Sequence, residues 1–282
     1  MRATLLLWSS LTGLMIGWLC LTMSASLAKA SVEDELDAAR SDVEKKHYAQ
    51  AIDRLRDLRE GVSCSDRAAV NNALGWTYYL MGDEKTAQGY LLEAYRAEDL
   101  GEDTLLKNKI TNNLGILFFA KGLLEESRKY FEESAARGSG VAKKYLMLIE
   151  GQQRLSEVNQ YIRGGVYLRQ STQFENAIEE YSKALSLAPD DARALEFRGY
   201  AFFRLGKLKP AEADLRRAYQ LNPDRVTVII NLMKVYCSND DAASLEKLSE
   251  DAAKMITEKR VVFESDGELQ RVCGDRLLSM LP

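Results

Sequence analysis

Gly165, Ala177, Tyr181, Ala184 and Pro189 return thirty-four positions later as Gly199, Ala211, Leu215, Ala218 and Pro223. Self-similarity at a fixed period of this size restricts the chain to one small unit used repeatedly, each copy covering the apolar face of the next. In both copies Gly stands twelve residues before an Ala, a large side chain follows that Ala by four, and a second Ala follows it by seven. This spacing predicts a pair of antiparallel helices. Gly165 and Gly199 fall inside the first helix of each pair, where glycine costs roughly 1 kcal/mol against alanine. A packing reason must offset that cost: without a side chain, the second helix can approach closely. Ala177 and Ala211 do the same from the second helix, and Tyr181 and Leu215 are expected to fill the space between successive pairs. Pro189 and Pro223 stop the second helix, and Asp190, Asp191 and Asp224 suit the start of the next.

Upstream the same spacing persists with substitutions. Gly75, Ala87, Leu91 and Ala94 reproduce it without the closing Pro, and Gly115, Ser127, Phe131 and Ser134 repeat it forty residues on with Ser in both Ala places. The insertion that lengthens this period falls around Glu98 to Thr104. Tyr48-Ala49-Gln50-Ala51-Ile52 with Leu55 suggests an earlier copy, and Val226 to Ala243 a degenerate first helix with Met233 in the Gly place. These residues resemble the tetratricopeptide repeat over roughly residues 34–245. The resemblance implies an all-α fold, a right-handed superhelical solenoid of antiparallel helix pairs closed by a C-terminal helical cap. The expected organisation is N-terminal repeats at 31–137, an irregular connecting helix at 138–157, two strong repeats at 158–225, and a degenerate repeat with helical cap at 226–282. From Asp251 onward the tail reads as two helices separated by Arg260-Val261-Val262-Phe263-Glu264-Ser265.

Residues 1–30 differ from all that follows. Arg2 leads an apolar run from Thr4 to Leu27 that ends in Ala28-Lys29-Ala30. That is the layout of a secretory signal peptide cleaved after Ala30, so the mature protein is expected in a bacterial periplasm or secreted. The rival reading is an uncleaved N-terminal anchor facing the periplasm; after cleavage no membrane span is expected. Cys64, Cys237 and Cys273 would remain. In an oxidising compartment Cys237 and Cys273 are the candidate disulfide, the alternative being two buried thiols that never meet. An exposed Cys64 would offer a link between two chains in a homo-oligomer.

Stacked helix pairs curve, and the first helix of each pair lines the hollow side. There the candidate partner-binding residues are Asn72, Trp76, Tyr79, Asn112, Asn113, Phe119, Arg163, Arg169, Phe197 and Tyr200. Asn carries both donor and acceptor for a peptide backbone, and aromatic and Arg side chains are the usual anchors of interfaces. The alternatives are core packing for Tyr79 and Phe119, and solvated faces for the Asn residues. Some members of the resembled family grip a peptide C-terminus with two Lys, two Asn and an Arg. Asn113 and Arg163 fall at clamp-like places, but Asn72 and Trp76 stand where the first Lys and first Asn belong, and Asn159 replaces the second Lys. The resemblance therefore does not extend to that clamp.

Chemistry is poorly provided for. The sole His is His47, beside Lys45 and Lys46, and neither a nucleophilic triad nor a four-ligand zinc site can be built around it. No glycine loop cradles a phosphate, so no metal or cofactor is expected. The formal net charge of −4 argues against nucleic acid, which selects clustered Lys and Arg. The sequence therefore points to a non-enzymatic periplasmic scaffold or adaptor that binds a protein or peptide in cell-envelope assembly or maintenance. The alternatives are a structural subunit of an envelope or secretion assembly and an enzyme with a helical accessory domain.

Overall fold

The computed structural model describes residues 32–97 and 103–276, except for the side chains of Cys64 and Ser65. The expected signal peptide, most of the insertion at Glu98–Thr104 and the role given to Cys64 lie outside the described residues. Within them the chain is all-helical. Helices α1 (32–44), α2 (Tyr48–Gly61), α3 (Cys64–Met81), α4 (Glu84–Tyr95), α5 (Thr104–Ala120) and α6 (Leu124–Ala136) lead into the long α7 (Gly140–Gln170). After it come α8 (Phe174–Leu187), α9 (Ala192–Arg204), α10 (Leu208–Leu221), α11 (Val226–Ser238) and α12 (Ala242–Asp251). Three short helices close the described chain: α13 (Ala253–Glu258), α14 (Arg260–Ser265) and α15 (Gly267–Cys273). Two compact units divide between Ile149 and Glu150, inside α7.

The glycine–alanine spacing becomes a repeated contact. A Cβ added at Gly165 would lie 2.5 Å from the Tyr181 ring; at Gly115, 2.6 Å from Phe131; at Gly199, 2.7 Å from Leu215; at Gly75, 2.6 Å from Leu91. In every case the large side chain sixteen residues on fills the space that a side chain would need. This corrects the expected place of Tyr181 and Leu215: each packs first on the glycine of its own pair. Tyr181 also reaches the next first helix, with its ring 5.7 Å from Phe197. The two Ser residues that replace Ala are buried without penalty because each hydroxyl has a partner. Ser127 donates to the Gly115 carbonyl at 2.8 Å and Ser134 to Asn108 Oδ1 at 3.3 Å.

Helix ends follow local chemistry. Ala188 and Asn222, each just before a proline, leave helical geometry with φ −139° and −148°, as the clash between a proline ring and the preceding residue requires. Asp191 caps α9 by accepting the Arg193 and Ala194 amides. Asp224, expected to do the same for α11, does not: Arg225 occupies that cap and makes no side-chain cap bond. The turn inside each pair places one residue in the left-handed region. Glycine does this at Gly82, Gly122 and Gly206, but Lys46, Thr172 and Asp240 hold φ of 62°, 59° and 54°. Left-handed backbone is most costly for a β-branched residue. Thr172→Gly is therefore expected to raise stability by about 1 kcal/mol, read by chemical denaturation, and no gain would show that the Thr172 turn is unstrained.

Two segments differ from the sequence expectation. The stretch 138–157 is not a separate connecting helix, since α7 continues through it into the first helix of the next pair. No proline interrupts residues 140–170, and interior glycines each cost only about 1 kcal/mol. Among the described residues the tail forms three short helices rather than two, because Arg260–Ser265 is itself helical and buries Phe263 completely. The core of the second unit centres on α11, where every residue from Val228 to Cys237 is buried. Such a helix, apolar on nearly all sides, must be covered all round; α10, α12 and α15 pack against it.

Candidate functional site

In the first unit, α3 and α5 lie side by side and their Asn residues meet. Asn113 Nδ2 donates to Oδ1 of the buried Asn72 at 2.9 Å. Asn112 points elsewhere, exchanging hydrogen bonds with the Ser139 hydroxyl, which also caps α7 by accepting the Ala142 amide. Asn112 thus secures the start of α7. Trp76 and Tyr79, one turn apart on α3, bring their rings to 5.1 Å and are half-buried. Burial, then the nearby Tyr145, pushes the Tyr79 phenol above its ordinary value. Phe119 meets Tyr145 edge to face at 5.4 Å, and Tyr145 stacks on the fully buried Phe131. Phe119 is therefore part of the packing between α5, α6 and α7 and is half-buried.

In the second unit a denser cluster forms. The Arg169 guanidinium on α7 lies 5.8 Å from the Phe197 ring and 5.6 Å from the Tyr200 ring, both on α9. Its Nε is buried without a hydrogen-bond partner among the described residues. Cation–π contact accounts for its position. Arg193, one turn before Phe197, donates to Asn159 Oδ1 at 2.9 Å and pairs with Asp191, so these two side chains tie α7 to α9. Arg163 stands apart. It is exposed and makes no ion pair with a described residue.

Sequence reasoning missed the residues that complete the cluster. Lys234 on α11 has a side chain only 4% exposed, and its Nζ sits 3.0 Å from both Asp266 Oδ2 and Glu268 Oε2. The Tyr200 hydroxyl donates to Glu268 Oε2 at 3.1 Å, and Arg204 Nε lies 3.6 Å from Glu268 Oε1. Burial pushes the Asp266 carboxyl up, but bonds from the Leu269 amide and the Lys234 ammonium outweigh it and hold it below the ordinary 3.8. One signal for Lys234 was present: it is the lone charge in a mostly apolar helix. Glu268 had none, lying sixty-eight residues from Tyr200. Cys237 and Cys273 are joined by a disulfide that ties the end of α11 to the end of α15, with Cα atoms 5.1 Å apart.

Among the described residues no group of His, Cys, Asp and Glu is placed to hold a metal ion, and no helix is long and apolar enough to cross a membrane. His47 is exposed at the start of α2.

The family pattern described as tetratricopeptide repeat matches residues 163–226. The chain is 28% identical over 159 residues to TPR repeat-containing protein YpiA of Bacillus subtilis (strain 168), a match covering 56% of this chain and 34% of that protein. It thus spans about a third of the length of that relative. Among solved structures it is similar to the TPR2AB-domain:pHSP90-complex of yeast Sti1, with a TM-score of 0.54 and 18% identity over 86% of this chain and 97% of that one. At that identity the likeness is one of fold.

Proposed function

We propose that this chain, whose residues 163–226 match the tetratricopeptide-repeat pattern, is a protein of that family and acts as an exported, non-catalytic scaffold that binds a protein or peptide partner in the cell envelope. Repeat folds of this kind serve protein–protein interaction. The observation that carries the reading is the set of half-buried aromatics on first helices, Trp76 and Tyr79 in one unit and Phe197 and Tyr200 in the other, with Arg169 laid over the last two. Side chains of these types supply large contact area at low entropic cost and dominate interface energetics. Asn113, beyond the bond it donates to the buried Asn72, keeps its carbonyl oxygen and second amide hydrogen for a peptide backbone. Export is supported by the apolar N-terminal run ending in Ala28-Lys29-Ala30 and by the Cys237–Cys273 bridge, a bond that persists in oxidising compartments.

The test is crosslinking in intact cells, comparing the wild type with a Trp76→Ala, Arg163→Glu variant whose helix content is verified. Loss of one crosslinked partner is expected. An unchanged partner set would place recognition on another surface and sink the inner-face reading. In the same preparation, an intact mass starting at Ser31 is expected; a mass that retains Met1 would contradict cleavage.

A further inference from the structure

Three groups from two helices converge on one carboxylate of the tail. Glu268 accepts from the Tyr200 hydroxyl, lies beside the Arg204 guanidinium and pairs with the Lys234 ammonium, which also holds Asp266. The donors stand on an aromatic floor: Lys234 Nζ is 5.7 Å from the Tyr200 ring centre and Arg204 is 4.7 Å from that of Phe174. On α9 and α11 this is a site for carboxylate oxygens, and its occupant is the protein's own C-terminal segment.

Two buried side chains and one covalent bond hold the occupant's helix. Of α15, only Leu269 and Cys273 are buried. A helix of seven residues has no stability of its own in water. The covalent attachment is Cys273, five residues beyond Glu268, bonded to Cys237 on α11. It holds the two acids beside Lys234 at a high effective concentration.

We propose that the Tyr200–Arg204–Lys234 site binds an acidic segment of a partner protein, and that Asp266 and Glu268 close it in cis while the Cys237–Cys273 bond latches them there. The proposal rests on the scaffold reading and names the chemistry of its second unit. A dithiol opens the latch. Its sulfurs form their own disulfide, the Sγ–Sγ bond between Cys237 and Cys273 breaks, and two electrons and two protons pass to the cysteine sulfurs. The tail then competes from a flexible tether, and an acidic segment in trans can displace it.

The full chain, oxidised or treated with dithiothreitol, is titrated with a fluorescein-labelled copy of its own residues 265–271, Ser-Asp-Gly-Glu-Leu-Gln-Arg. Reduction is expected to tighten binding at least about tenfold, by lowering the effective concentration of the tail. Glu268→Gln is expected to tighten binding to the oxidised chain, and Arg204→Gln to weaken binding to the reduced chain. A peptide with Asn and Gln in place of its two acids is expected not to bind. Equal affinity before and after reduction overturns the latch, as does binding indifferent to the peptide's acids. Loss of helix content on reduction also overturns it, because the bond would then be a staple of the fold. The latch can fail while the Trp76 and Arg163 crosslinks still vanish, so its failure and that of the scaffold reading are distinguishable.

Discussion

Gly165→Ala is expected to destabilise the protein by about 2 kcal/mol, whereas Gly89→Ala, the same change at an open position, stabilises it by about 1 kcal/mol. Both glycines are interior to helices, α7 and α4. Propensity alone therefore predicts the same gain, about 1 kcal/mol, at each. The surroundings decide the sign. Nothing lies within 4 Å of a Cβ at Gly89, but at Gly165 three Tyr181 ring atoms lie at 2.5–2.8 Å. Tyr181 is fully buried, so its ring cannot swing into solvent, and forcing extra volume into such a core costs about 3 kcal/mol. Urea denaturation of the three chains measures the difference. Tyr181→Ala supplies the control: with the ring gone, adding Gly165→Ala should cost nothing further, a coupling that a double-mutant cycle reads directly. If Gly165→Ala proves as stabilising as Gly89→Ala, close helix approach is not what the repeated glycine provides.

The second large effect is expected at Lys234. Lys234→Met keeps most of the side-chain volume but leaves Asp266 and Glu268 facing each other without their cation, at side-chain exposures of 26% and 22%. Removing one member of a largely buried ion cluster costs about 3 kcal/mol, more than the attraction itself is worth, because the remaining charges stay desolvated. Acid supplies a signature that mere loss of packing would not. The folded-state pKa of Asp266 lies below its ordinary 3.8. Its contribution is therefore fully present above that value and is lost as pH falls through the folded one. In Lys234→Met, burial is opposed only by backbone amides such as that of Leu269, the depression shrinks, and the loss of stability on acidification shrinks with it. Denaturation series for both chains between pH 6 and the acid limit check this, and equal acid slopes would remove Lys234 from the account of Asp266. Asp83, Asp191 and Asp241 are also held low; being common to both chains, they cancel in the comparison.

Much of the fold was legible because its rules are local. The prolines that follow second helices and the Asp at 191 act within one or two turns, and the twelve-residue step from Gly to Ala within one helix pair, where sequence neighbours are also spatial neighbours. Reading failed where two local preferences competed. Residues 138–157 looked like an interruption because the repeat spacing lapses there, yet spacing between pairs says nothing about whether the backbone bends, and no proline forces it to. Thr172 gave no hint of a left-handed turn, because the two helices it joins impose that geometry against the residue's own preference.

The candidate site was legible in part. Phe197, Tyr200 and Arg169 come together as helical spacing and the repeat offset allow, and Asn72 meets Asn113 across neighbouring first helices. Asn112 and Phe119 were given to a partner face, but Ser139 and Tyr145 engage them. Each choice turns on which way a side chain leans toward a helix that follows much later in the chain.

The sequence by itself determined that this protein is a series of helix pairs, each closed by glycine against a large side chain. That pattern is periodic and short-ranged, and the backbone hydrogen bonds of a helix are satisfied within the helix. Only the tertiary structure decided that Glu268 returns to Tyr200 and Lys234, and that the bond between Cys237 and Cys273 fixes it there. Ion pairs and disulfides depend on distance in space, and no periodic pattern encodes where a chain's last helix will land.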